Sequence, residues 1–114
     1  MVRKANIIQK QELGGGKGCA EVHEIVPEKD LYGHGKLYAK VVLKPNSSVG
    51  WHRHVGETEP YYILEGEATA IDDGKEVKVY PGDLIYTADG NTHAITNTGK
   101  TPMVMLATVI YENK

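Results

Sequence analysis

Short apolar runs of period two, cut by turn signals every eight to twelve residues or so, leave this chain little to fold into except β-structure. Residues 20–26 alternate apolar and polar side chains. Residues 37–44 put Leu37, Ala39, Val41 and Leu43 on one face and Tyr38, Lys40, Val42 and Lys44 on the other. Residues 67–71 form a further strand, and Asp72, Asp73 and Gly74 then make a strong hairpin signal before residues 77–80 return. Residues 84–87 read as a short buried strand. In residues 93–97, His93, Ile95 and Asn97 fall in phase, and residues 103–111 form a long apolar strand. No segment of helical period competes and no fixed-period repeat is present. The pattern predicts an all-β, antiparallel sandwich or barrel.

At 114 residues the chain is one domain by length and can bury roughly two thirds of its unfolded surface. A formal charge of −2 and a pI near 6.2, with Lys and Arg interleaved among acids, supply no footprint for nucleic acid. The apolar runs are too short to span a bilayer, and the residues after Met1 resemble no signal peptide. Cys19 is alone, so no intrachain disulfide forms, and the expectation is a soluble, cytoplasmic protein. Residues 1–13, with Ile7 and Ile8 among polar neighbours, read as an arm or edge strand. The glycine-rich residues 14–18 read as a plain loop, because Lys17 is not followed by the Ser or Thr of a phosphate-binding loop.

Residues 50–66 concentrate the chemistry. His52 and His54 are two apart, so in an extended strand both rings leave one face, with Cα atoms roughly 6.5–7 Å apart. After a short glycine-containing turn Glu59 can return beside them as the partner strand of a hairpin, and His93 comes from a second hairpin that can face the first across a small barrel. Three imidazoles and one carboxylate suit one divalent transition metal (Fe, Mn, Ni, Co or Zn) and do not suit Ca or Mg. His23 lies on the polar phase of its strand and His34 between two glycines. Both read as surface or locally bonded residues rather than ligands.

Residues 50–66 and 82–97 resemble the two motifs of the cupin superfamily. In the first, His52, His54, Glu59 and Gly66 match, while Asn46 stands where the family has its opening glycine. In the second, Gly82, Gly90, His93 and Asn97 match, while Ala88 replaces a proline. The resemblance implies a single-domain cupin β-barrel of double-stranded β-helix, or jelly-roll, type over residues 1–114, with 1–19 as N-terminal arm and loop and 20–114 as barrel. It also makes His52, His54, Glu59 and His93 the metal ligands. Glu57 breaks the spacing to Gly66 and is rejected, so Glu59→Gln should empty the site while Glu57→Gln should not. Asn97 is expected to close a loop or support the ligands.

Strand phase from Glu59 puts Tyr61 and Ile63 on the metal side and Tyr62 and Leu64 outside. Tyr61 and Tyr86 are the catalytic candidates, Tyr38 is a further pocket candidate, and Met103 and Met105 are placed along the barrel wall. Trp51 and Arg53 should point away from the metal. The resemblance implies a metal-dependent enzyme (isomerase, lyase, decarboxylase or dioxygenase) acting on a small oxygen-rich metabolite such as a sugar or keto acid. Its alternative is a non-catalytic metal-dependent binding or sensing protein. The partners it implies are a small-molecule ligand and a second copy of the chain in a homodimer whose N-terminal strands extend the partner's sheet.

Overall fold

A computed structural model describes residues 1–112. Ten strands follow in order: β1 (Asn6–Gln11), β2 (Cys19–Glu24), β3 (Gly35–Leu43), β4 (Ser48–Arg53), β5 (Glu57–Glu65), β6 (Ala68–Asp72), β7 (Lys75–Val79), β8 (Leu84–Thr87), β9 (Thr92–Thr96) and β10 (Met103–Tyr111). Among the described residues the only helical turns are two short 3-10 segments, Leu13–Gly15 and Glu28–Leu31, and no helix is long and apolar enough to cross a membrane.

All pairings are antiparallel and build two sheets. One has six strands in the order β1-β2-β3-β10-β5-β8, and the other has four in the order β4-β9-β6-β7. The architecture is therefore the all-β jelly roll expected, built as two sheets facing one another. The core lies between them, where Leu43, Ile63, Ile95, Met103 and Met105 are completely buried. Inward residues alternate with exposed ones as the period-two pattern requires: Tyr61 and Ile63 are buried while Tyr62 and Leu64 are exposed.

Two turns show how local chemistry shapes the frame. Asp73 and Gly74 take φ of 48° and 88°, a two-residue turn left-handed at both positions that joins β6 to β7. Asn46, where the family motif has glycine, has φ of 69°. Asparagine tolerates this left-handed region better than other side chains, so the departure keeps the turn. β1 pairs with β2 of its own chain, from Asn6 opposite Glu24 to Gln11 opposite Cys19, and forms an exposed edge.

Two breaks in register matter for the site. Between β4 and β9, Val49 lies opposite Ile95 and His52 opposite His93, so β4 carries one extra residue. This bulge at Gly50 and Trp51 switches the phase of the strand. Val49 and His52 both face the core side, and Trp51 is left exposed. Between β3 and β10, Leu37 lies opposite Val109 and Gly35 opposite Ile110, so Lys36 is the extra residue.

Candidate metal centre

His52 ends the inward phase of β4, and His54 follows one residue beyond the strand. Glu59 sits in β5, opposite Thr87 of β8, and His93 sits in β9. This corrects the sequence expectation in two ways. β4 and β5 lie in different sheets, so residues 52–59 cross between the sheets and form no hairpin. His52 and His93 do not meet across the barrel either: they are direct cross-strand partners in the four-stranded sheet, and Glu59 reaches them from the other sheet. Pairing order is set by contacts distant in sequence, which motif spacing does not carry.

One donor atom from each of the four residues lies within 4.8 Å of the others, a group that could hold a metal ion. His54 Nε2 is 3.0 Å from His93 Nε2, and His93 Nε2 is 2.8 Å from His52 Nε2. Glu59 Oε1 is 2.8 Å from His54 Nε2, 3.0 Å from His93 Nε2 and 3.7 Å from His52 Nε2. Donors each about 2.1 Å from one ion and at right angles to one another lie about 3.0 Å apart, which matches most of these separations. The three rings are mutually steep, with interplanar angles of 74°, 73° and 87°.

The outward nitrogens test whether this donor set fits a cation. His52 Nδ1 donates to the Gly50 carbonyl at 2.8 Å, and His54 Nδ1 donates to Glu57 Oε2 at 2.5 Å. Those acceptors hold the proton on Nδ1, so both Nε2 atoms present lone pairs inward. The Thr87 hydroxyl, 2.7 Å from His93 Nδ1, is placed to do the same. Inward lone pairs gathered around a carboxylate oxygen are satisfied by a cation, and the residues fit one.

Without a cation, protons on the inward nitrogens take its place and bond to Glu59. Burial would push the Glu59 carboxyl up, but hydrogen bonds from His52, His54 and His93 outweigh it and hold Glu59 well below the usual carboxylate range. The bond to Glu59 raises His54 above its ordinary value, against the opposing effect of burial. Burial lowers His93, helped by the neighbouring His52 and His54 and opposed by Glu59.

The centre opens on a cavity of about 230 Å³, walled by Leu13, Gly14, Val49 and Tyr61 beside His52, His54 and Glu59, with Lys36 at its rim. Tyr61 is buried, stacks on His93 at 4.4 Å between ring centroids, and has its phenol pushed well up by burial and by Glu59. Tyr86 is exposed on the opposite side of β8 from buried Thr87, and Tyr38 is exposed as well. Neither lines this cavity. Met103 and Met105 are in the core. Arg53 faces outward and its guanidinium donates to the Gly90 carbonyl. His23 is bonded locally to Glu21 at 2.6 Å, His34 is exposed, and Cys19 is a half-buried free thiol. Asn97 is completely buried and closes a loop, donating to the carbonyls of Leu43 and Thr101 and accepting from the Gly99 amide.

Sequence reasoning missed three participants. Glu57, rejected as a ligand, anchors His54. Lys36 falls on the outward phase and reaches the cavity only through its bulge. The glycine-rich segment is no plain loop: Leu13 and Gly14 wall the cavity, and two reciprocal bonds tie Lys17 to Ser48, one from Lys17 N to Ser48 Oγ at 2.8 Å and one from Ser48 N to Lys17 O at 2.9 Å. The glycines themselves were the available signal, since Gly50 and Gly16 allow the two backbones to touch.

Comparison with known proteins places this geometry. The cupin domain family model matches residues 39–109. An oxalate-binding protein from Thermotoga maritima is 39% identical over 112 residues, covering 96% of this chain and 93% of that protein. Germin-like protein 1 of Brassica napus is 34% identical over 83 residues, covering 68% of this chain and 40% of that protein. The crystal structure of a predicted oxalate decarboxylase from Thermotoga maritima superposes with a TM-score of 0.92 at 38% identity, covering 97% of this chain and 98% of that one. A polyketide cyclase from Streptomyces resistomycificus shares the fold alone, with a TM-score of 0.75 at 19% identity over 96% of this chain and 78% of that one. On the matched motifs, the jelly-roll architecture and these relatives together, the chain belongs to the cupin domain family.

Proposed function

We propose that His52, His54, Glu59 and His93 hold one divalent transition metal ion, and that the cavity before it captures a small oxygen-rich anion of the oxalate class. The observation that carries this reading is the convergence of three imidazole nitrogens on one carboxylate oxygen, with the Nδ1 atoms of His52 and His54 tied outward to acceptors. Nitrogen and carboxylate donors of this kind suit Fe, Mn, Ni, Co or Zn. When bound, the ion supplies Lewis-acid attraction for ligand oxygens. The chain does the rest. Leu13, Val49 and Tyr61 supply apolar walls, and Lys36 supplies a positive rim. Oxalate is the ligand named for the Thermotoga relative, and a cavity of about 230 Å³ suits a molecule of that size.

Binding without turnover is favoured because the carboxylates at the cavity are already engaged. Glu59 belongs to the donor set, and Glu57 is held between His54 and Lys36. The second reading is a metal-dependent enzyme, a decarboxylase or lyase, and the observation in its favour is Tyr61. Its phenol keeps its proton beside Glu59 and lines the cavity, where it could protonate a carbanionic product. Tyr86, exposed elsewhere, takes no part in this reading. Calorimetric titration of the metal-replete protein with oxalate, keto acids and sugars, followed by product analysis of each mixture, separates the readings. Saturable oxalate binding without product supports capture, product supports the enzyme, and no binding by any anion refutes both.

A homodimer also fits the molecule. Tyr62, Leu64, Leu84 and Tyr86 are exposed on β5 and β8 of the six-stranded sheet. Size-exclusion chromatography with light scattering tests it, and a monomer at all concentrations would dismiss it. The same measurement on a chain starting at Ala20 tests the exchanged N-terminal arm, which an unchanged dimer would dismiss.

A further inference from the structure

In strict alternation along β3, Lys36 would share the outer face with Tyr38 and Lys40. The extra residue between the Leu37–Val109 and Gly35–Ile110 pairs is Lys36 itself, so the bulge takes it out of that phase. Its side chain lines the cavity with His52, His54, Glu59 and Tyr61. Among the described residues lining that cavity it is the only side chain with a permanent positive charge. Its Nζ lies 3.2 Å from Glu57 Oε1, and its side chain is 48% exposed, so it is anchored at one point and open to an incoming molecule.

From this placement we infer that Lys36 is the specificity-determining residue of the cavity, selecting ligands with a second anionic group over neutral isosteres. The inference rests on the anion-capture reading above. An ammonium has three donors: one serves Glu57, which leaves two for water or a ligand. A ligand held at one end by the metal centre presents its far carboxylate to these donors. Lys36 also cancels the charge of Glu57, which would otherwise repel an anion at the rim. Glu57 thereby links the two recognition elements, fixing His54 through one oxygen and Lys36 through the other.

The test compares oxalate with oxamate, in which a neutral amide replaces one carboxylate, by calorimetric titration of the protein carrying the ion with which it is purified. The expected result is oxalate binding about tenfold tighter than oxamate, the usual scale for one hydrogen bond to a charged group. Lys36→Gln should bring the two affinities to near parity by weakening oxalate, Lys36→Arg should keep the preference, and metal content and melting temperature should stay unchanged in both. A Lys36→Gln protein that keeps the wild-type oxalate-to-oxamate ratio overturns the assignment, whether or not both affinities fall. Wild-type protein that binds neither compound overturns the capture reading and this inference with it. Oxalate binding by the wild type with an unaltered ratio in the variant overturns the role of Lys36 alone.

Discussion

Glu57 and Glu59 are two residues apart and do different work. Glu59 Oε1 faces three imidazoles, whereas Glu57 touches only the outward nitrogen of one. Glu59→Gln should therefore empty the site. Glu57→Gln should leave it fillable in excess metal, with affinity lower by about 10- to 100-fold, the usual cost of losing a partner that orients a ligand. Metal content before and after dialysis distinguishes the two, and equal losses would contradict the assignment. The pH dependence follows from the same residues. Glu59 is held below its ordinary 4.5, so its stabilisation is present above that value and fades as pH falls through the folded one. His54 is raised above 6.5, so its stabilisation of the metal-free protein is complete below 6.5 and fades as pH rises through the folded value. His93 is lowered from 6.5, so its contribution has the opposite sense, present above 6.5 and lost as pH falls. A metal needs all these rings neutral, and protons hold His54 longest. The metal-induced rise in melting temperature should accordingly grow as the pH is raised from below 6.5 to above it. Thermal scans with and without metal check this, and a rise independent of pH would contradict it.

At the scale of elements, the bulge in β4 and the 3-10 turn over it form one unit. A Cβ on Gly50 would run into the backbone of Gly14, Gly15 and Gly16. Gly50→Ala should cost about 1–3 kcal/mol, as overpacking usually does, and should lift Leu13 away from the cavity. Denaturant unfolding measures the first effect, and hydrogen exchange at residues 13–16 the second. The turn before β4 offers a contrast. Asn46 at φ 69° should tolerate glycine almost without cost, while Asn46→Val should lose about 1–2 kcal/mol. Equal stabilities for these two variants would show that the turn does not depend on its left-handed residue. Strand positions were legible from alternation because a pleated strand repeats every two residues. The bulges at Gly50–Trp51 and at Lys36 were not, because an extra residue is defined only against its partner strand. That is why alternation gave Lys36 no place at the site, and why Leu13 read as part of an arm and Gly14 as part of a loop.

At the scale of the whole molecule, the centre joins two sheets. His52 and His93 belong to the four-stranded sheet and Glu59 to the six-stranded one, so an ion held among them fastens the two layers together. Stripping the metal with a chelator should lower the melting temperature by about 10 °C, taking roughly 2.7 kcal/mol of linkage at a hundredfold excess over Kd. The four residues that converge could be picked out in the sequence because motif spacing keeps each at a fixed place in its own segment. The sheet assignments of β4 and β5 could not, since they depend on β9 lying beside β4 and β10 beside β5. His93 carries the account furthest, being wholly buried and nearly forty residues from His54 in the chain. Elemental analysis of freshly purified wild-type and His93→Ala protein is the most direct measurement. The account predicts about one divalent transition ion per chain in the wild type and a large loss in a variant that stays folded. A folded His93→Ala protein with the wild-type metal content, or a wild type that takes up no transition metal at all, would contradict it.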